Sequence, residues 1–501
     1  MAKKLKKGLL LLGLCGWLVS PIEAQQDTLV TYRLEAMGMA SSGTYAPLWL
    51  TSNRHGVLDP APNAALLRAG ATYRQTLSRH WGVGAGLDLI GGAQDGGRFV
   101  VQQAYADVSW RCLNLSLGSK ERNPFLERPF ELGSGTLVED GNARPVPQAR
   151  IEIADYVAVP GTKRWLAFKG YIAYGRFTDD RWQEDFAAPG SYYVQDVFYH
   201  GKGALFRIGN REVRPWEVEI GLQTATQFGG KRYLKRTDGT STLVHTMPSD
   251  LKTFLRVFLP LAGGSETTDS DQLNVEGNVL GAWVGGFTYY FPKDWTLRLY
   301  AEHYFEDESA MFFQYGMWRD GLLGVTLRPP KNRWVDELLW EGLAMDFQSG
   351  PIQYEWFNAS FPGIQISACD NYYNHSYYGG WQQGGLSMGH PLLPGPAYNE
   401  SHKIRFRSNR MRAHHIGISG SPFRDWQYRL KLSLTRHWGT YNEPLPEVTH
   451  QTSGLAEVTY RPGAWNGWTF SLAVAADRGG LIGNSVGGLF TIRKEGVLWR
   501  K

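Results

Sequence analysis

Charged residues are scarce in this chain: Asp, Glu, Lys and Arg make up 20% of its 501 residues, against about 25% in ordinary soluble domains. Cysteine is nearly absent. Of the three, Cys15 lies in the first 24 residues, and Cys112 and Cys369 stand too far apart in sequence for a disulfide framework or a zinc ligand set. No apolar run beyond residue 24 approaches the ~18 residues of a spanning helix, which excludes a polytopic helical membrane protein. Helical periodicity is rare too, with 120–150 and 330–345 the stretches that leave room for short helices or ordered loops. No linker-length Pro/Ser/Gly tract, low-complexity segment or internal repeat divides the chain, so residues 25–501 read as one domain.

Glycine is abundant, at 59 residues, as are aromatics, with 19 Trp and 25 Tyr. A chain that is also 43% apolar can bury a core, so it is not a disordered tail protein. This composition suits an all-β protein. The N-terminus predicts export. Lys3, Lys4, Lys6 and Lys7 precede an apolar stretch from Leu9 to Val19, and Ile22-Glu23-Ala24 offers a small-residue cleavage site, so 1–24 reads as a secretory signal peptide. Removing it takes four Lys and one Glu from 52 basic and 47 acidic residues, leaving a balance of +2. So even a charge balance gives nucleic acid no hold.

Period-2 alternation runs through the remainder. Leu67, Ala69, Ala71, Tyr73 and Leu77 share a face opposite Arg68, Thr72, Arg74 and Ser78. The pattern restarts after Arg79-His80, with Trp81, Val83, Ala85, Leu87 and Leu89 opposite Gly82, Gly84, Gly86 and Asp88. This predicts a hairpin of two long strands. The same alternation recurs at 113–118, 216–223, 295–306 and 427–435. Strands of 10 to 12 residues exceed the ~5–6 usual in soluble sheets and match the ~9–11 needed to cross a bilayer at a tilt. Trp81, Trp216, Trp295 and Trp426 stand at strand starts, where an interfacial girdle places them. A soluble sandwich or propeller explains the alternation equally well, but not the strand lengths or the terminal Trp. The fold class is therefore an all-β transmembrane antiparallel barrel.

Several segments carry a family resemblance. They are Thr44-Tyr45-Ala46-Pro47-Leu48-Trp49-Leu50-Thr51-Ser52-Asn53-Arg54-His55-Gly56, Gly141-Asn142-Ala143-Arg144-Pro145-Val146-Pro147-Gln148 and Glu302-His303-Tyr304-Phe305-Glu306-Asp307. Asp370-Asn371-Tyr372-Tyr373-Asn374 with Gly380-Trp381, Asn409-Arg410-Met411-Arg412-Ala413-His414-His415, His437-Trp438-Gly439-Thr440-Tyr441 and Asp477-Arg478-Gly479 complete them. In this order the chain resembles the Wzi family of outer-membrane capsule-assembly proteins, in the form common in Bacteroidetes. The resemblance implies a barrel of about 18 strands acting as a lectin that helps hold capsular polysaccharide at the cell surface; a monomer without cofactor or metal is expected. An outer-membrane protein would also touch lipid and lipopolysaccharide. Over residues 25–501, 18 strands leave about 26 residues for each strand and its connection, which fits. The C-terminus departs from the usual aromatic ending, because Arg500 and Lys501 follow Trp499.

Two segments are candidate sites. Lys403, Arg405 and Arg407 alternate, and beyond Ser408 the residues Arg410 and Arg412 repeat the spacing; with no acid among them they suggest a basic ladder on one strand face. It is either a track for an anionic glycan or lipid head group, or a lumen face neutralised by acidic ladders such as Glu302/Glu306 or Glu217/Glu219. We carry the second reading forward, and it argues for a plugged lumen. In the other segment Asp370, Asn371, Tyr372, Tyr373, Asn374, Tyr377, Tyr378 and Trp381 mix aromatic faces with amides and a carboxylate. That suits the C–H face and hydroxyl rim of a sugar; a loop packed into the barrel mouth would use the same residues.

Signals of catalysis are weak. Gly385-Leu386-Ser387-Met388-Gly389 matches G-x-S-x-G and precedes His390, but no βαβ pattern surrounds it. Glu302 and Glu306 lie roughly 13 Å apart along a strand, beyond either glycosidase geometry. The expectation is a non-enzymatic outer-membrane lectin. A porin for small anionic solutes and an outer-membrane hydrolase are the alternatives.

Overall fold

Alternation sets the two faces of the sheet. The computed structural model describes residues 27–259, 277–306, 311, 319–353 and 366–501, so the signal-peptide segment and Asp307 lie outside the described residues. The first predicted hairpin forms strands Ala64–Thr76 and Trp81–Gln94, with Leu67 and Leu87 exposed on one face and Arg68 and Asp88 buried on the other. The segments predicted at 113–118, 216–223, 295–306 and 427–435 form strands Leu113–Ser119, Trp216–Phe228, Thr296–Glu306 and Trp426–Gly439. The 330–345 stretch, which left room for a helix, carries strand Glu337–Ala344, because its outward Leu338 and Trp340 alternate with Leu339 and Glu341 inside. Residues 120–147 form ordered loop without a helix.

Eighteen antiparallel strands make one sheet, each pairing with its neighbours in the chain. The last strand, Ser485–Arg500, pairs with the first, Thr28–Ser41, from Leu29↔Arg500 to Ser41↔Gly487, and the sheet closes into a barrel. Closure leaves no unpaired strand edge. The charged ending Arg500-Lys501 is accommodated, since Lys501 exchanges backbone hydrogen bonds with Thr28.

The two ends differ. One carries short turns such as 77–80, 111–112 and 424–425; the other carries 42–63, 120–147, 177–197, and the described parts 229–259, 345–353 and 366–409 of two further connections. Trp81, Trp295, Trp426 and Trp468 ring the turn end, with Trp81 paired to Trp110 and Trp165 to Trp216 at centroid distances of 6.4 and 5.8 Å. Between them and the loops the outer wall is apolar, as in Leu115, Ile151, Ile220, Leu323, Leu432 and Leu472. No described helix is long and apolar enough to cross a membrane. The strands present the apolar belt instead. Cys112 lies in a turn at one end, and the strand Ile366–Cys369 belongs to a connection at the other.

The lumen is plugged. Segments 42–63, 120–147 and 370–409 fold inward from the loop end. Trp49, Leu50, Leu137, Tyr372, Trp381 and Phe406 share one buried cluster with inward wall residues such as Met37, Leu343 and Ala413. Gly135 permits one of the tight approaches. At φ +133° it tolerates a conformation that side chains resist, and a Cβ there would stand 2.5 Å from Pro391.

Candidate functional site

Inward carboxylates of the wall seat the plug. Arg128, on the plug, donates to Glu302 and, at 2.7 Å, to Glu341. Glu341 also accepts from the Ser134 N–H at 2.6 Å and the Tyr300 hydroxyl at 2.5 Å, and Glu302 from the Leu137 N–H at 2.8 Å. Backbone N–H groups that a loop in apolar surroundings would leave unpaired are met by charged acceptors. Burial works against the Arg128 charge, but Glu302 and Glu341 outweigh it and hold the guanidinium above its ordinary pKa. Across the lumen, the Lys431 ammonium lies 3.6 Å from the Trp49 ring centroid and donates to Gly133 O at 2.8 Å. His415 meets Leu132 O at 2.9 Å, and Asp477 accepts from the Leu48 N–H at 2.8 Å.

Above this seat, at the loop end, lies an open cleft of about 640 Å³. Asn371, Asn374, His375, Tyr377 and Tyr378 form one side and Lys403, Arg405 and Arg407 another. A small three-stranded sheet of Tyr192–Gln195, Gly230–Lys235 and Ser241–Met247 brings Tyr192 and Arg232 to the third. The Arg232 guanidinium lies 3.9 Å from the Tyr192 ring centroid and 5.3 Å from that of Tyr377, which fixes both rings as walls. Arg405 is paired with Glu443, and this hydrogen-bonded pair holds the Glu443 carboxyl below its ordinary pKa. Lys403, Arg407 and Arg232 have no ion-pair partner among the described residues, so the cleft carries net positive charge.

The two candidate segments thus converge, although not as the sequence suggested. Residues 403–409 are not strand; Phe406 drops into the plug cluster and Ile404 packs with Ala187 and Tyr193, which leaves Lys403 and Arg407 at the surface. The strand starts at Arg410, whose guanidinium lies 3.8 Å from the Tyr441 ring centroid. Arg412 points outward from the barrel and pairs with Asp346 at 2.9 Å. A single lumen-facing ladder of Lys403, Arg405, Arg407, Arg410 and Arg412 is therefore corrected, because the period breaks between Arg407 and Arg410, at a loop–strand junction that turns the face. Nor do Glu302 and Glu306 neutralise it. Glu302 meets Arg128, Glu306 accepts from the Tyr373 N–H at 2.6 Å, and Glu219 pairs with Arg298 at 2.5 Å.

The aromatic segment divides likewise. Asn371, Asn374 and Tyr377 line the cleft, and Tyr378 borders it but is buried, while Tyr372, Tyr373 and Trp381 are fully buried and Asp370 nearly so. Tyr372 donates to Asp320 at 3.2 Å, Trp381 to Val138 O at 2.7 Å and Tyr373 to Leu137 O. Those three are plug residues, out of a ligand's reach. Tyr373 stands at φ +66°, costly for an aromatic residue, and is held there by its bonds to Glu306, Leu137 and Trp381. Sequence reasoning missed Arg128, Tyr192 and Arg232, which carry no periodic signal, and Glu341 and Lys431, whose alternation marks an inward strand face but not a contact with the plug.

The G-x-S-x-G segment is also plug. Ser387 is 1% exposed, and the imidazole of His390 lies 3.0 Å from Ser134 Oγ rather than bonding Ser387. His390 Nδ1 accepts from the Leu392 N–H at 3.3 Å, so Nε2 carries the proton and donates to Ser134, whose hydroxyl donates to Glu341 at 2.5 Å. That order is the reverse of a base activating a serine. Burial lowers the His390 pKa to about 3, keeping the ring neutral. It raises Asp140, whose carboxylate oxygens are sealed beside Gly135, to about 7 against the pull of Arg128.

No protein-family model matches the chain, and no curated protein matches it either. Among solved structures it is similar to Wzi of Escherichia coli, an outer-membrane carbohydrate-binding β-barrel involved in group 1 capsule assembly. The TM-score is 0.53 at 16% identity, over 92% of this chain and 83% of that one. It also matches OprD of Pseudomonas aeruginosa, with a TM-score of 0.47 and 8% identity over 94% and 96% of the two chains. At 16% identity the likeness to Wzi is one of fold: a closed antiparallel β-barrel.

Proposed function

We propose that the protein is an outer-membrane barrel that binds an anionic surface polysaccharide at its loop face and tethers it without catalysing a reaction. The observation that carries this reading is the cleft, where Tyr192 and Tyr377 offer aromatic faces beside Asn371 and Asn374, with Lys403, Arg407 and Arg232 supplying charge. Pyranose rings stack on such faces, amides meet their hydroxyls, and cations select acidic sugars. The similarity to a carbohydrate-binding barrel supports it. The apolar outer belt and the short-turn, long-loop asymmetry support the outer-membrane placement, with the loops outward.

The test is the ratio of cell-attached to released polysaccharide in a deletion strain complemented with wild type or with Tyr377→Ala/Lys403→Gln/Arg407→Gln. The attached fraction is expected to fall in the deletion, to recover with wild type and to stay low with the variant, at unchanged total polymer. An unmoved partition would refute the tether. Transport of small anions is disfavoured by the plug, and stable large openings of the purified barrel in a planar bilayer would reverse that judgement.

A further inference from the structure

The outer wall carries a second cationic surface, separate from the cleft. Arg412, Arg436, His450 and Arg478 stand on four consecutive strands, Arg410–Phe423, Trp426–Gly439, Pro444–Tyr460 and Trp468–Gly479. Arg412 is directly opposite Arg436 and Arg436 opposite His450, while Arg478 faces Thr452, two residues further along. All four are exposed, whereas Ala413, Thr435, Gln451 and Asp477 beside them in sequence are buried, so the cations point away from the lumen. Towards the turn end the same outward rows continue as Ile416, Leu434 and Val474, and the cations thus mark the loop-side margin of the apolar belt. On other strands that margin is Ala40, Ala65, Ala93 and Phe99.

Like charges opposed across a ladder destabilise a sheet. Asp346 meets Arg412 at 2.9 Å, but Arg436 and Arg478 have no ion pair among the described residues. Beside Arg412 the wall is hollow. Ala301, Gly321, Gly342 and Ala344 leave a depression of about 460 Å³, with Arg412 and His414 on its border. Charge and hollow together match a ligand with a phosphate head and an apolar chain.

We propose that this sector binds the phosphate groups of an anionic lipid in the leaflet on the loop side, with an acyl chain laid in the hollow. A phosphate between Arg412 and Arg436 converts their repulsion into two charge-assisted hydrogen bonds. The site requires a barrel that spans a membrane and is independent of the glycan reading.

The test is retention of bisphosphorylated lipid A by the full barrel in neutral detergent, measured by native mass spectrometry. Dephosphorylated lipid A and inorganic phosphate serve as the comparison ligands. Each arginine beside an anionic lipid contributes a factor of roughly five, so Arg412→Gln/Arg436→Gln/Arg478→Gln is expected to lose roughly 100-fold in retention. Ala344→Leu, which fills the hollow and keeps every charge, is expected to weaken retention as well. Heat-modifiable gel mobility reports whether each variant still forms the barrel, and the single arginine variants replace any that does not. Unchanged retention in the variants, equal retention of the dephosphorylated lipid, or full displacement by millimolar inorganic phosphate would each overturn the proposal. Failure of the wild-type barrel to hold any polysaccharide would sink the loop-face reading and leave this one standing.

Discussion

Replacing Arg128 with Met tests whether the plug is held by charge. The guanidinium is 1% exposed, and its partners Glu302 and Glu341 are 3% and 1% exposed, so the substitution leaves two sealed carboxylates facing each other without their cation. Breaking a buried ion pair on one side costs about 3–5 kcal/mol. At about 1.4 kcal/mol per decade, the equilibrium between seated and displaced plug shifts by two to three and a half orders of magnitude, roughly 10² to 4 × 10³. The penalty falls on the plug rather than the wall, whose backbone ladder Arg128 does not join. Single-channel recordings in planar bilayers are therefore expected to show a quiet wild type and a variant with frequent openings, while both keep the heat-modifiable mobility of a folded barrel. Adding Glu302→Gln and Glu341→Gln to Arg128→Met removes the orphaned charges and is expected to restore much of the seal. A quiet Arg128→Met barrel, or one that loses its fold altogether, would refute the assignment of this triad to the plug.

The plug also predicts a pH signature. The folded Asp140 carboxyl, raised to about 7, binds a proton that the unfolded chain releases near 3.8, so its contribution is present below about 4 and lost as pH rises through 7. His390, lowered to about 3, acts with the opposite sign, and its contribution is lost as pH falls from about 6.5. Subtracting the thermal stability of Asp140→Asn from that of wild type at each pH is expected to isolate the first slope, falling between pH 4 and 7; a flat difference would contradict it. Trp49→Ala empties a buried ring site beneath Lys431 and is expected to cost about 3–5 kcal/mol of plug stability, read as channel openings. Ser387→Ala is expected to leave polysaccharide retention unchanged, since the residue is sealed inside the plug; loss of an ester-hydrolysing activity in that variant would revive the hydrolase.

The outer wall was the legible part of this chain. A strand buried against a plug on one side and facing an apolar solvent on the other must alternate, so the hairpin at 67–89 and the strand at 295–306 announce both their extent and their outward face. The lumen was not legible. Its strand faces carry Glu302, Glu341, Lys431 and His415, which read from sequence as scattered polar residues, and their partners Arg128, Trp49 and Leu132 sit in loops with no period. The basic run from Lys403 to Arg412 misled for a related reason. An extended loop that buries Ile404 and Phe406 alternates just as a strand does, and only the three-residue step from Arg407 to Arg410 breaks the period where the strand begins.

The segments that carry the family resemblance meet in one place. Leu48 reaches Asp477, the His55 N–H donates to Gly141 O at 2.6 Å, and the Asn53 N–H donates to Asn142 Oδ1 at 3.3 Å. Asn409 holds Asn371 and the Tyr372 carbonyl, while Glu306 holds Tyr373. These contacts build the plug and its seat, where one residue type at one position satisfies one buried group. The outer belt makes no such demand, because many apolar residues serve equally at each outward site. These segments therefore close this barrel. Of the cleft they supply Asn371 and Asn374, whereas Tyr192, Arg232, Tyr377, Lys403 and Arg407 fall outside them. Glycan preference is accordingly expected to follow those five side chains. Exchanging them for neutral or smaller residues should change which polysaccharide is retained while the lumen stays sealed, and a change in conductance on the same exchange would mean that cleft and plug are one functional unit.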